Sequence, residues 1–339
     1  MSRNTTLLIV TFACVSLALV AWLGVSLARR RIANARPTPP PLVFPTFAPQ
    51  TQPAASTPAR ETSIASTSAV SGSGKIVYVC QMFRVTTYDQ ICIMDSDGRN
   101  QRRLTTNDNA RHYYPSLTPD GESVLFSSNL NGTNFTLYEL NLTTGQLIHL
   151  GQPGIAPEAS PNGRLIAFAQ SDGKKDMIWV MNRDGSNPRM LYPNGWDPTW
   201  SPDGQKILFA SQTNGLPQLF SINLDGSGLQ QISDLPLLRG RSDWSADGRY
   251  IVTYSGRSWE RELFLLPFDG SPVRQLTPPG GNSQGPAFSP DGQWVVFTAY
   301  FDRFGNVHGC EIYKIRIDGT GLTRLTNNDY CDWQPRWGP

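Results

Sequence analysis

Residues 200–210 read WSPDGQKILFA. The phrase returns as WSADGRYIVTY at 244–254 and as FSPDGQWVVFT at 288–298, with looser copies LTPDGESVLFS at 117–127 and ASPNGRLIAFA at 159–169. The turn glycines of the five copies, Gly121, Gly163, Gly204, Gly248 and Gly292, lie 41 to 44 residues apart. A period of about 40–45 residues, each unit holding several short strands, marks a β-propeller blade. Each copy predicts an inner strand ending at Trp or Phe, a Ser-Pro-Asp-Gly turn, and an apolar second strand such as Lys206–Ala210. In the turn, proline presets φ, aspartate bonds the backbone ahead and glycine takes positive φ. A third strand and a second turn follow, at Asp97-Gly98, Asp184-Gly185, Asp225-Gly226, Asp269-Gly270 and Asp318-Gly319. The half-polar fourth strand suits an outer edge.

The ends of the repeat region complete the count. GKIVYVC (74–80) matches GQKILFA but lacks the strand before it, and DWQPRWGP (332–339) is the start of a copy that stops at its turn. Together they make one divided blade. The fold expected for 73–339 is therefore all-β: a six-bladed β-propeller closed by pairing of its N- and C-terminal strands, which removes the open sheet edges.

Residues 7–28 (LLIVTFACVSLALVAWLGVSLA) carry no charge and are long enough to cross a bilayer as one helix. They predict a retained single-pass anchor after a short tail at 1–6. Residues 29–72 open with Arg29, Arg30 and Arg31 and continue as a Pro/Ser/Thr-rich linker unable to bury a core. The arginines favour a cytoplasmic propeller by the positive-inside rule. The stalk-like linker and the cysteine pattern favour an extracytoplasmic one, which is the reading adopted.

The recurring Pro-x-Trp-Ser-Pro-Asp-Gly-x-x-Ile-x-Phe phrase resembles the propeller of the TolB family of bacterial envelope proteins, over the whole of 73–339. The resemblance implies the fold and a periplasmic or surface habit. TolB carries a small α/β domain where this chain has residues 1–72. Its partner-recognition surfaces do not match here residue by residue, so no partner is carried over.

A formal net charge of +2 gives no basic stripe for nucleic acid. Three histidines and no CxxC or HxxxH spacing predict neither a metal site nor a cofactor. Cys80, Cys92, Cys310 and Cys331 fall toward one face. Cys80–Cys92 and Cys310–Cys331 are sensible pairs, although four cysteines allow three connectivities, and disulfides would imply an oxidising compartment.

Gly281-Asn282-Ser283-Gln284-Gly285 fits G-x-S-x-G literally, but it lacks the strand–turn–helix context and the following acid and histidine that make a nucleophile elbow. Asp95-Ser96-Asp97-Gly98 lacks the spaced glutamate of a calcium loop and reads as a turn.

The loops entering the inner strands share the face on which propeller sites lie. There the repeats disagree. The candidate binding residues are Tyr113, Glu158, Trp196, Asp197, Arg241, Asp243, Gln284, Asp332 and Trp333. Tryptophan and tyrosine beside arginine are typical of interface hot spots. The function expected is a membrane-anchored, non-catalytic binding or scaffold module, monomeric, presenting this face to a protein or glycan of the cell envelope. The alternative is an enzyme, a lyase, lactonase or glycosidase, acting at the central channel with carboxylates such as Glu158, Asp197, Asp243 and Asp332.

Overall fold

The structure is a computed structural model that describes residues 74–81, 89–107, 109–268, 271–302 and 309–339. The expected spanning segment 7–28 and the linker 29–72 lie outside the described residues, as does the Asp269-Gly270 turn. Among the described residues no helix is long and apolar enough to cross a membrane.

Twenty-four strands form six four-stranded antiparallel sheets among the described residues. Blade 1 is the divided one: Asp332–Gly338 is its inner strand, followed outward by Lys75–Gln81, Asp89–Asp95 and Arg102–Arg103. Lys75 pairs with Gly338 and Cys80 with Asp332, so strands from the two ends of the domain close the ring. The inner strands of blades 2 to 6 are His112–Leu117, Ile155–Ala159, Trp196–Trp200, Leu238–Trp244 and Gln284–Phe288. Each contacts the next around the ring, blade 6 back to blade 1 included.

The apolar side chains gather at the seams between blades. Val77, Val79 and Ile91 face blade 2, whereas Ile76, Tyr78 and Met94, on the other side of the same sheet, face blade 6. The same division holds at the seams 2–3, 3–4, 4–5 and 5–6. Middle strands buried on both faces need continuous apolar runs rather than alternation, which is why IVYVC, ILFA and VVFTA carry the repeat.

The repeated phrase works as turn chemistry. Asp203 Oδ1 accepts from Ser201 Oγ (2.6 Å) and from the Gln205 N–H (3.0 Å), and the Lys206 N–H donates to Ser201 Oγ (2.9 Å). Asp120, Asp247 and Asp291 repeat the pattern, and Asn162 replaces the acid without breaking it. Gly204 holds a φ of 69°, which only glycine adopts freely. At the second turns, Asp184, Asp225 and Asp318 accept from the N–H two residues on. Asp97 does the same, so the calcium-loop likeness is a turn.

Cys80 is bonded to Cys92 and Cys310 to Cys331. The first bond staples the two middle strands of blade 1. The second ties the entry to a strand of blade 6 to the residue just before the closing strand.

Candidate functional site

Each inner strand of blades 2 to 6 enters through a register shift beside its entering residues: Tyr113/Ser116, Ile155/Glu158, Trp196/Thr199, Gly240/Asp243 and Gln284/Ala287. The residue before the entering proline has left-handed φ at Tyr114 (55°), Ala156 (54°), Asp197 (52°), Gly285 (61°) and Gln334 (52°). In blade 5, where Ser242 stands in place of the proline, Arg241 does not share it. Bulges of this kind re-aim side chains. Here they bring residues of different blades together at the channel mouth.

A cavity of about 210 Å³ opens at that mouth, lined among others by Tyr114, Asp197, Arg241, Gln284, Trp333 and Gln334. Tyr254, Thr298 and Tyr300 complete its wall from blades 5 and 6. Below it the channel narrows to about 10 Å³. At the far end a second cavity of about 310 Å³ is rimmed by the turn prolines Pro119, Pro161, Pro202 and Pro290, with Ala246 in the fifth turn.

The narrowing is an ionic plug. Arg336, buried, pairs with Glu158 (3.1 Å) across the ring and approaches Asp243 at 3.4 Å. Each carboxylate also binds the next blade. Glu158 Oε1 accepts from Thr199 Oγ1 (2.6 Å) and the Trp200 N–H (3.3 Å), and Asp243 Oδ2 accepts from the Phe288 N–H (2.7 Å). Burial pushes Asp243 up to about 6, the Arg336 charge pulling the other way and Glu158 adding to the rise. Two acids and a guanidinium sharing donors across three blades are better suited to locking the ring than to moving protons.

Above the plug, Arg241 sits with its guanidinium 5.3 Å over the Tyr114 ring and its Nη2 donating to the Pro115 carbonyl (3.3 Å). Its backbone N–H donates to Asp197 Oδ2 at 2.9 Å. Burial lowers Arg241 to about 10, with repulsion from Arg336 next, so it stays cationic at neutral pH. Burial also raises Asp197, opposed first by the Arg241 backbone hydrogen bond.

Of the nine expected face residues, Asp197, Arg241, Gln284 and Trp333 share the mouth cavity, and Glu158 and Asp243 lie in the plug. Trp196 lies at the rim, its Nε1 donating to the Arg239 carbonyl (3.4 Å). Tyr113 donates to Asp89 Oδ2 (2.5 Å) and stands edge-on to Trp333 with ring centroids 5.5 Å apart. Asp332 is turned away, into a separate cavity beside Tyr78, Cys80 and Cys92. There it accepts from Asn328 Nδ2 (2.7 Å), and burial raises it to about 7. Ser283 of the G-x-S-x-G stretch is buried against Glu262 Oε2 (3.3 Å), a packing role.

The wall residues Tyr254 and Thr298 were not among the expected site residues. The signal was present in the repeat: they occupy the second-strand position held by Ala210, Ala169 and Ser127 in other blades. Among the described residues no cluster of three or more metal-binding side chains occurs.

A family model described as the TolB beta propeller domain matches residues 67–258. The Tol-Pal system protein TolB of Anaeromyxobacter dehalogenans is 30% identical over 116 residues, covering 33% of this chain and 26% of that protein. The chain spans between 18% and 26% of the length of the curated relatives it matches. Among solved structures, TolB from Acinetobacter baumannii superposes with a TM-score of 0.67 at 22% identity, covering 78% of this chain and 67% of that one. A putative TolB from Agrobacterium tumefaciens gives 0.60 at 20% identity, covering 78% and 99%. At these identities the structural likeness speaks for the fold.

Proposed function

From the premise that this chain belongs to the TolB β-propeller domain family, we propose that its propeller is a non-catalytic binding module that presents the channel-mouth face to a protein of the cell envelope. One observation carries the reading: the mouth is a shallow cavity walled by Trp333, Tyr114, Tyr254 and Arg241, closed beneath by the Arg336–Glu158–Asp243 plug. Aromatic and arginine side chains around a preformed hollow are what interface hot spots are made of. The channel acids, which an enzyme would need free, are tied to Arg336 and to the backbone of the neighbouring blade. Relatives named for the Tol-Pal system support an envelope setting. The reading extends to residues 7–28 as a membrane anchor and to an extracytoplasmic propeller, for which two disulfides argue by compartment.

The test is capture from an envelope extract by the full-length chain in detergent, compared with a Trp196→Ala/Trp333→Ala variant of unchanged melting temperature. The expected result is a partner retained by the first and lost by the second. Equal capture by both removes this face from consideration.

A further inference from the structure

Three residues that line the mouth cavity each carry a buried donor with no partner within the protein: Arg241 Nη1, Thr298 Oγ1 and Trp333 Nε1. Arg241 is 6% exposed and Thr298 2%. Unpaired buried polar atoms also occur elsewhere among the described residues, as at Ser127 Oγ and Trp179 Nε1, but buried groups are usually paired, and three gathered on the residues of one small cavity point to groups that an incoming molecule supplies. The guanidinium and the indole N–H are donors only, and the hydroxyl donates as readily as it accepts. Such a set selects an acceptor-only anion, and charge-assisted bonds to a carboxylate are the strong case.

The surroundings agree. Arg241 is held by the Pro115 carbonyl and the Tyr114 ring, which fixes Nη1 in place. Arg239 and Arg261 add positive potential near the same wall: Tyr254 feels all three cations, against an Asp197 charge that acts on it more strongly than any one of them. The one acid in the lining, Asp197, is turned to the Arg241 backbone N–H; burial raises its pKa, and that hydrogen bond and the Arg241 and Arg336 charges oppose the rise. At about 210 Å³ the cavity is below the usual size of a drug-like ligand site and takes one side chain or one chain end.

We propose that the mouth cavity is a carboxylate subsite that takes the free carboxylate of an acidic peptide, a Glu or Asp side chain or a C-terminus, with Arg241, Thr298 and Trp333 as its donors. The proposal rests on the reading that this face is the binding face and adds the chemistry it selects.

The probes are acetyl-Ala-Glu-Ala-amide, acetyl-Ala-Ala-Ala with a free C-terminus, the fully blocked acetyl-Ala-Gln-Ala-amide, and inorganic phosphate. Binding to the full chain is read from the Trp333 indole N–H resonance, identified by its loss in Trp333→Phe, and from calorimetry. Saturable binding of either acidic peptide, with that resonance shifting, is expected. Thr298→Val removes a hydroxyl that bonds nothing in the protein, so its melting temperature holds while affinity drops roughly 2- to 10-fold, the range for one hydrogen bond. Arg241→Gln loses more than about tenfold, as expected for a charged donor. The proposal is overturned if the blocked peptide or phosphate binds as tightly as the acids, or if Thr298→Val binds them like the parent chain. If the acids fail to bind while envelope capture still depends on Trp196 and Trp333, the carboxylate proposal falls and the face stands. Capture independent of those tryptophans removes the face itself.

Discussion

Replacing Arg336 with methionine deletes the cation of the plug and keeps most of its volume. Glu158 and Asp243 then remain in the channel with each other, the Thr199 hydroxyl and the backbone N–H groups of Trp200 and Phe288. Removing one partner of a buried ion pair typically costs about 3–5 kcal/mol, because the remaining charge is left uncompensated. For a domain of this size each kcal/mol moves the melting temperature by about 2–4 °C, so the loss at pH 8 is roughly 6–20 °C.

The pH dependence gives the prediction its edge. Asp243 is already raised from 3.8 to about 6 by burial, with Arg336 opposing the rise. A carboxyl whose folded pKa lies above its unfolded one binds its proton better when folded. Its stabilising contribution is full below about pH 4 and is lost as pH climbs through the folded value. Without Arg336 that value rises further. The Asp243 part of the Arg336→Met deficit is therefore absent near pH 4 and grows as pH climbs, so the total is smaller at pH 4.5 than at pH 8. Urea unfolding followed by tryptophan fluorescence at five pH values measures it. A deficit that stays constant with pH, or none at pH 8, refutes the plug. Adding Glu158→Gln and Asp243→Asn to Arg336→Met should recover most of the loss, since the burial penalty then has no charge to act on.

Two further outcomes are expected. Alkylation of the unfolded, unreduced chain should label Cys14 alone, with Cys80, Cys92, Cys310 and Cys331 reacting only after reduction; labelling of the four without reductant refutes the disulfides. Asp332→Asn keeps the acceptor for Asn328 Nδ2 and removes an acid raised from 3.8 to about 7. By the same sign rule it should match the parent near pH 4 and exceed it above pH 7, by up to about 4 kcal/mol from 1.36 kcal/mol per pKa unit; parallel stability curves contradict the raised value.

Most of the architecture was legible because it is written in backbone chemistry and periodicity. Ser-Pro-Asp-Gly dictates a turn from within four residues, and a 41-to-44-residue spacing counts blades without any knowledge of contacts. The divided blade was legible for the same reason, as GKIVYVC and DWQPRWGP each match half of a known unit. The site was legible only in part. Asp197 and Arg241, one residue before the entering proline position, and Gln284 and Trp333, two before it, meet at the mouth, whereas Tyr113 and Trp196, also two before it, do not line the cavity. Nor does Asp332: in the split blade the strand entry swings its carboxyl into the seam near the Cys80–Cys92 bond. The pairing of Arg336 with Glu158 and Asp243 joins three blades, and no local pattern specifies which acid a channel arginine will reach.

The closing pair has a consequence for biogenesis. Lys75–Gln81 finds its inner neighbour only in Asp332–Gly338, so its edge lies bare until the rest of the ring has emerged and been threaded. A bare, apolar edge is a template for association with another chain, and a contact spanning that much sequence forms late. The cysteines divide this delay between them. Cys80 and Cys92, 12 residues apart, can be oxidised as soon as their own hairpin exists, which stiffens the waiting edge. Cys310 and Cys331 flank the final approach, and their bond holds the residue just before the closing strand against blade 6.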